Sequence, residues 1–136
     1  MLTGDGLCGQ VRDELKRALH NILDGHCIDC RRSAGAPDIS RGTIDRSNFS
    51  RRRGKLKQAR FAQRIRSFAP CCGTQILFQA TANSPTFDLA LATLDQPPSF
   101  KPRKARWCED HLPWVPLDKT ILAYLQRTRS ARWRAK

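Results

Sequence analysis

The stretch CIDCRRSAGAP, residues 27–37, decides how this sequence is interpreted. Cys27 and Cys30 form a C-x-x-C knuckle, the spacing that lets two thiolates bind one tetrahedral zinc ion at about 2.3 Å each. The same spacing is found in redox-active cysteine pairs, and it also occurs by chance. A single knuckle is therefore a moderate indication of a metal site, and the other cysteines have to be considered with it.

Four more cysteines are candidate ligands or buried thiols. Cys71 and Cys72 precede Gly73 and resemble half of a second knuckle, and Cys8 precedes a glycine in the same way. Taken singly, each of these thiols is at least as well explained as a small apolar core residue, and for Cys108 that explanation is much the better one. The case for metal therefore depends on the cysteines acting as a set.

The length of 136 residues is typical of one domain. No apolar run approaches the roughly 18 residues that span a bilayer. The first nine residues lack the basic and apolar regions of a signal peptide. We therefore expect a cytoplasmic protein with no membrane partner, in a reducing compartment where cysteines serve as metal ligands or buried thiols. No P-loop, dinucleotide fingerprint or nucleophile elbow is present.

A net charge of +13 is the strongest feature of the composition. A field of this sign favours polyanions such as nucleic acid, acidic membranes, or small anionic thiols such as glutathione. Residues 41–66 hold ten basic side chains and one acid, and the tail at 127–136 adds five basic side chains. The stretch 41–66 is therefore a candidate nucleic-acid surface, although basic runs are more often plain solvated surface.

Strand patterns are clearest in the middle of the chain. Residues 74–80 and 87–94 have the length of strands, and the second alternates large apolar residues with smaller or polar ones. The Asn-Ser-Pro sequence at 83–85 indicates a turn, so we predict an antiparallel hairpin. Near the end, Asp118 is placed to cap a short helix.

Three other stretches are less decisive. Residues 10–24 place apolar side chains at helical spacing and use good helix formers, so the local prediction is a helix. Residues 33–48 are rich in Gly, Ser, Asp and Pro, which predicts a loop with short extended pieces. Residues 55–67 are compatible with a basic helix or an irregular connection.

Taken together, the motifs resemble the glutathione-dependent formaldehyde-activating enzyme family, to which centromere protein V also belongs. The resemblance covers residues 4–124 in the expected order. It is most specific at residues 29–37 and 112–118, and it rests on the following motifs: Gly4-x-x-x-Cys8-Gly9, Cys27-x-x-Cys30-Arg31-Arg32-x-x-Gly35-Ala36-Pro37, Arg66-x-Phe68-x-x-x-Cys72-Gly73-Thr74 and Leu112-Pro113-Trp114-x-x-Leu117-Asp118.

The resemblance implies a mainly β, Mss4-like β-tent of small antiparallel sheets with a short C-terminal helix. It implies a zinc-thiolate domain at 1–126 and a basic tail at 127–136, and it replaces the helix at 10–24 by two strands. The family's founding activity joins glutathione to formaldehyde, and the family is classed with carbon–sulfur lyases. Glutathione or a related small thiol is then the expected partner.

The resemblance also implies two zinc sites. Cys8 and Cys72 correspond to ligands of a structural zinc, and Cys27 and Cys30 to ligands of a catalytic zinc. The first cysteine of each family cluster is replaced here, by Gly6, Gly25 and Ala69. Half-complete ligand sets predict weakened zinc binding. Two substitutes are open at this point: Cys71 at the structural site and, less readily, His26 at the catalytic one.

Two functions from different classes remain after this comparison. One is a zinc-dependent carbon–sulfur lyase that acts on glutathione–aldehyde adducts, with Cys27 and Cys30 as its catalytic residues. The other is a catalytically impaired relative that binds polyanions, including nucleic acid, through residues 41–66. The family assignment favours the first function, and the missing ligands favour the second. We also predict that Cys8 lies beside Cys72 and Gly6 beside Ala69.

Overall fold

The computed structural model describes residues 1–97 and 100–133. The described chain falls into two compact units, each built from two separate segments. Unit 1 lies within Met1–Asn21 and Gly42–Phe100, and unit 2 within Ile22–Arg41 and Lys101–Lys136. The domain boundaries expected from the sequence stay a prediction. Residues 134–136 of the predicted basic tail lie outside the described residues.

The mainly β fold expected from the family is confirmed. Among the described residues there is one α-helix, α1 at Ile28–Ala34. The strands are β1 Leu2–Asp5, β2 Arg12–Leu15, β3 His20–Gly25, β4 Ile39–Asp45, β5 Phe49–Arg53, β6 Lys57–Phe61, β7 Arg64–Phe68, β8 Gln75–Gln79, β9 Thr86–Ala90, β10 Lys104–Arg106 and β11 Leu122–Ala123.

A three-stranded antiparallel sheet, β1-β2-β5, opens unit 1. Strand β2 has the sequence RDEL, which favours a helix locally, so the local prediction of a helix at 10–24 is wrong. The strand forms because Leu15 is completely buried and because Asp13 and Glu14 meet arginines of β5. Tertiary packing thus overrides propensity, and the two strands implied by the family resemblance are the observed β2 and β3.

Strands β6 to β9 of unit 1 pair antiparallel in sequence order. The predicted hairpin is confirmed, with Leu77 opposite Leu89 in β8 and β9, but its second strand is shorter than predicted, since β9 ends at Ala90 and a 3-10 turn follows at Leu91–Thr93. Residues 57–68 form the hairpin β6–β7 rather than a basic helix or an irregular connection. The reason is the period of two in β7, where Ile65 and Ser67 are buried while their neighbours are not.

Strand β4 corrects the loop predicted for residues 33–48, since Ile39–Asp45 is a continuous strand. Gly42 in this strand is one of the residues whose composition predicted a loop. A Cβ atom at Gly42 would lie 3.0 Å from Leu19 Cβ and 3.2 Å from Leu91 Cδ2. Glycine at this position therefore permits close packing in unit 1 and does not mark a loop.

Unit 2 contains parallel strand pairs, in contrast to the small antiparallel sheets that were expected. Strand β10 pairs in parallel with β3 and with β11, so that Ala105 lies opposite Ala123. Within this unit Ala105, Ala123 and Cys108 form a buried cluster, against which three partly buried side chains pack: Leu117, Ile121 and Trp133.

The helix predicted after Asp118 is not formed. The Asp118 carboxylate accepts hydrogen bonds from the Thr120 backbone N–H at 2.8 Å and from the Thr120 hydroxyl at 2.6 Å, as a helix cap would. The chain nevertheless continues into β11, because burial of Ala123 beside Ala105 requires an extended backbone. Within the described residues, no helix has the length and apolar character needed to cross a membrane.

Candidate metal and thiol centres

None of the six cysteines is in a disulfide, and they fall into three groups. Three of them gather in unit 1 and two form a pair in unit 2. The sixth, Cys108, is completely buried in the apolar cluster of unit 2, as its sequence context predicted. Burial raises the pKa of Cys108, so this thiol stays protonated and inert near neutral pH.

The three-sulfur cluster of unit 1 consists of Cys8, Cys71 and Cys72, whose Sγ atoms all lie within 4.8 Å of one another. Cys8 follows β1 in a turn, and Cys71 and Cys72 occupy the turn between β7 and β8. The second turn closes with a 2.7 Å hydrogen bond from the Gly73 N–H to the Ala69 carbonyl. Gly73 has φ +78°, a conformation that glycine adopts without strain.

Two positions at which the family resemblance led us to expect cysteine lie beside this cluster. A Cβ atom built on Gly6 would lie 3.5 Å from Cys72 Sγ and 3.3 Å from Ala69 Cβ. The structure therefore brings Gly6 and Ala69 together beside Cys72, as predicted, and Cys8 lies near Cys72. Cys71 joins them with its sulfur 2.9 Å from that of Cys8. The adjacent Cys71-Cys72 pair was the sequence signal for this third thiol.

The thiols of the cluster differ in acidity. Hydrogen bonds from the Thr74 hydroxyl, the Thr74 backbone and the Cys8 backbone lower the pKa of Cys72 to about 6. Hydrogen bonding to Cys8 raises the pKa of Cys71 to about 11. Cys72 is thus the first thiolate to form, and a divalent metal would displace the remaining protons. Three soft sulfur donors with a fourth position beside Gly6 fit zinc.

The second centre is the pair Cys27 and Cys30 in unit 2. Cys27 is the N-cap of α1, and its sulfur accepts a 3.2 Å hydrogen bond from the Cys30 N–H. The two sulfurs are 2.7 Å apart. Hydrogen bonding to the Cys30 thiol, reinforced by the Cys30 N–H, lowers the pKa of Cys27 to about 6. A Cβ atom on Gly25 would lie 3.6 Å from Cys30 Sγ, where a third ligand belongs.

This pair does not offer a complete zinc donor set. Among the described residues no third Cys, His, Asp or Glu joins Cys27 and Cys30 within 4.8 Å. His26, the substitute considered from the sequence, is 2% exposed, and its Nε2 lies 3.9 Å from Asp38 Oδ2. Burial lowers the pKa of His26, which keeps the ring neutral. Two thiolates fall short of the three or four donors that hold zinc in proteins.

Arginines of the basic stretch 41–66 take part in the fold of unit 1. Arg51 Nε donates to Asp13 Oδ1 at 3.2 Å, and Arg52 Nε donates to Glu14 Oε2 at 2.6 Å. Arg53 donates to the Gly9 carbonyl at 2.6 Å. These contacts give the three arginines a structural role in unit 1. Neutralising them together would test folding before it tested binding.

Replacing Arg51 by glutamine is expected to destabilise the fold by about 1–3 kcal/mol at neutral pH, because Asp13 would remain buried without its charged partner. Burial already raises the pKa of Asp13, and loss of Arg51 raises it further. A carboxyl whose pKa is higher in the folded than in the unfolded protein destabilises the fold when it is ionised, and this cost disappears once it is protonated. The loss of stability caused by Arg51→Gln should therefore shrink as the pH falls below the pKa of Asp13 in the folded variant.

Urea denaturation of the parent and Arg51→Gln at about pH 7 and about pH 4.5 measures this difference. The matched control is Arg60→Gln, which removes the same charge from an exposed position of β6 and should change stability by less than about 0.5 kcal/mol. Equal effects of the two substitutions at both pH values would contradict a structural role for the Asp13–Arg51 pair.

Comparison with known proteins places these centres in context. The sequence model described as "Glutathione-dependent formaldehyde-activating enzyme" matches residues 1–110. A crystal structure of a Rhodobacter sphaeroides protein superposes with a TM-score of 0.57 at 23% identity, covering 68% of this chain and 87% of that chain. At this identity the likeness shows the fold alone. No curated protein matches. On the family match, the chain belongs to the glutathione-dependent formaldehyde-activating enzyme family.

Proposed function

We propose that this protein carries out carbon–sulfur chemistry on small thiols, making or breaking adducts of the S-hydroxymethylglutathione type. Family membership supports the substrate class. The observation that carries the proposal is the pair Cys27 and Cys30 at the start of α1, two partly exposed thiols whose sulfurs lie 2.7 Å apart. The separate cluster of Cys8, Cys71 and Cys72 would hold zinc as a structural ion that stabilises the fold.

Cys27 and Cys30 remain the proposed catalytic residues of this reaction. Cys27 is partly exposed, and its lowered pKa makes it a thiolate near neutral pH. A thiolate adds to an aldehyde carbon, so that a sulfur–carbon bond forms and the carbonyl oxygen takes a proton. In the reverse direction the hydroxyl loses its proton and the sulfur–carbon bond breaks, which returns the Cys27 thiolate and the aldehyde; the glutathione thiolate then adds to the aldehyde carbon, and the carbonyl oxygen takes a proton. Basic residues in the same unit, among them Arg31 and Arg32, favour an anionic thiol.

Exchange between free formaldehyde and its glutathione adduct tests the proposal. The zinc-loaded protein is expected to accelerate the exchange, measured by magnetisation-transfer NMR, over buffer at equal thiol concentration. Cys27→Ser should lower this acceleration by at least about tenfold, the scale on which a nucleophile contributes. Cys108→Ala, which removes a completely buried thiol, should retain it. No acceleration by the zinc-loaded parent would contradict the proposed function.

The polyanion-binding alternative has no specific observation in its favour. The contacts of Arg51, Arg52 and Arg53 within unit 1 explain why these three positions are basic without invoking a polyanion. We therefore propose no second function from the stretch 41–66.

A further inference from the structure

The pair Cys27 and Cys30 has a geometry that suits sulfur–sulfur chemistry. Neither cysteine is in a disulfide, both are partly exposed, and their Sγ atoms lie 2.7 Å apart. No third metal donor approaches them among the residues that the structure describes. Only a small movement of the two sulfurs therefore separates the pair from a covalent disulfide, in which the sulfurs are about 2.05 Å apart. No set of described metal donors competes for these two sulfurs.

The backbone fixes this arrangement before any reaction occurs. Cys27 lies just before α1 with φ −60° and ψ 153°, and Cys30 sits within the first turn of the helix. The Cys30 N–H donates to Cys27 Sγ at 3.2 Å, which holds the Cys27 side chain over the helix start. Gly25 adds no side chain beside Cys30. The two sulfurs are thus positioned by local structure that requires no metal.

We propose that Cys27 and Cys30 form a thiol–disulfide exchange site for small-molecule disulfides of the glutathione type. The Cys27 thiolate attacks one sulfur of the disulfide, forming a mixed disulfide and releasing one thiol. Cys30 then attacks the Cys27 sulfur, forming the Cys27–Cys30 disulfide and releasing a second thiol. The protein dithiol loses two electrons and two protons, and one small disulfide becomes two thiols. The exchange needs no other oxidant, and in reverse it reduces the protein.

Charge near the pair suits this class of disulfide. Arg31 and Arg32 directly follow Cys30, Arg32 is exposed, and the whole chain is strongly basic. Glutathione disulfide carries several carboxylates, so a positive field raises its local concentration. The field is screened by salt, so the exchange rate should fall as ionic strength rises.

Cys8 and Cys71 are also close, at 2.9 Å, and they provide an internal comparison. Their cluster includes the third sulfur of Cys72, which makes it a metal donor set, and zinc protects thiolates from exchange. Cys108 is completely buried and should not react while the protein is folded. The proposal therefore predicts selective oxidation at one of the three cysteine groups.

Peptide mapping measures this selectivity in the full chain. The protein, as purified and again after chelator treatment, is incubated with glutathione disulfide, quenched in acid, alkylated and digested with trypsin. Cleavage after Arg17 and Arg31 yields a peptide of residues 18–31 that contains Cys27 and Cys30 and no other cysteine. We expect this peptide to lose two hydrogens in both preparations, while the Cys108 peptide is fully alkylated.

Two single substitutions separate the steps. Cys30→Ser keeps the attacking thiol without its partner, so glutathione should accumulate on residue 27 to at least about ten times the level in the parent. Cys27→Ser should show neither the internal disulfide nor rapid glutathione addition. Circular dichroism shows whether each variant is folded. If either variant is not, the peptide map of the unsubstituted protein alone decides the outcome.

The proposal is overturned if the peptide of residues 18–31 stays fully reduced, or if only the Cys8 and Cys71 peptides oxidise. It is also overturned if folded Cys30→Ser traps no mixed disulfide. These results are independent of formaldehyde exchange, because the assay contains no aldehyde and needs no added zinc. Failure of the adduct chemistry and failure of disulfide exchange are therefore distinguishable.

Discussion

Gly6→Cys is expected to raise the zinc affinity of the protein by at least about a hundredfold and to raise its melting temperature in the presence of zinc. The new side chain would start 3.5 Å from Cys72 Sγ and would complete a four-cysteine set with Cys8 and Cys71. Closed tetrahedral thiolate sites are the form in which zinc stabilises folds. A hundredfold gain in affinity corresponds to about 2.7 kcal/mol of added stability at saturating metal.

Competition with a chromophoric chelator measures the affinity, and thermal unfolding with and without zinc measures the stability. Leu7→Cys is the matched control, since it adds one thiol at the adjacent residue, which is 85% exposed. Cys71→Ser should lower the affinity of the parent, because it removes one of the three donors. An equal gain from Leu7→Cys, or no loss from Cys71→Ser, would show that zinc is held elsewhere.

Gly25→Cys is expected to add one zinc ion per chain. Its Cβ would lie 3.6 Å from Cys30 Sγ and 3.7 Å from the Ile39 carbonyl, both ordinary contact distances, so the side chain fits. With Cys27 and Cys30 it would form a three-cysteine set with an open position, the pattern of a catalytic zinc site. We expect formaldehyde–glutathione exchange to rise and oxidation of the Cys27–Cys30 pair to fall, because metal would occupy the same sulfurs.

Zinc per chain is measured by mass spectrometry of the metal content after dialysis. Gly25→Ala separates the effect of the added methyl group from that of the thiol, and Gly25→Cys combined with Cys27→Ser should lose the extra zinc. Unchanged zinc content in a folded Gly25→Cys variant would mean that the backbone around α1 cannot bring three sulfurs to one metal.

The parts of the fold that the sequence predicted are those in which local pattern and tertiary environment agree. Strands β8 and β9 carry buried residues and are joined by a turn sequence, so they could be found from the pattern alone. Strand β2 could not. Its polar residues are buried only because β5 supplies Arg51 and Arg52, and that depends on the pairing of two strands that are distant in sequence.

The candidate sites show the same division. The C-x-x-C spacing indicated Cys27 and Cys30 directly, and the family resemblance placed Cys8 beside Cys72. Thr74 belongs to the motif Cys72-Gly73-Thr74, but its role was not predicted, because spacing does not show that its hydroxyl bonds to the Cys72 sulfur and lowers the pKa of that thiol. The place of Cys71 in the cluster depends on a turn conformation around Gly73 that spacing does not determine.

The discontinuous make-up of unit 2 has a consequence for biosynthesis. Leu23 of β3 pairs with Lys104 of β10. During translation β3, which ends just before Cys27, therefore cannot form this pair until β10 has been synthesised. At about 5–20 residues per second, the intervening stretch takes about 4–16 seconds to emerge from a ribosome. Throughout that interval both thiols of the knuckle are part of a nascent chain without its parallel neighbour. The redox conditions at the ribosome exit then decide whether the pair enters the fold reduced.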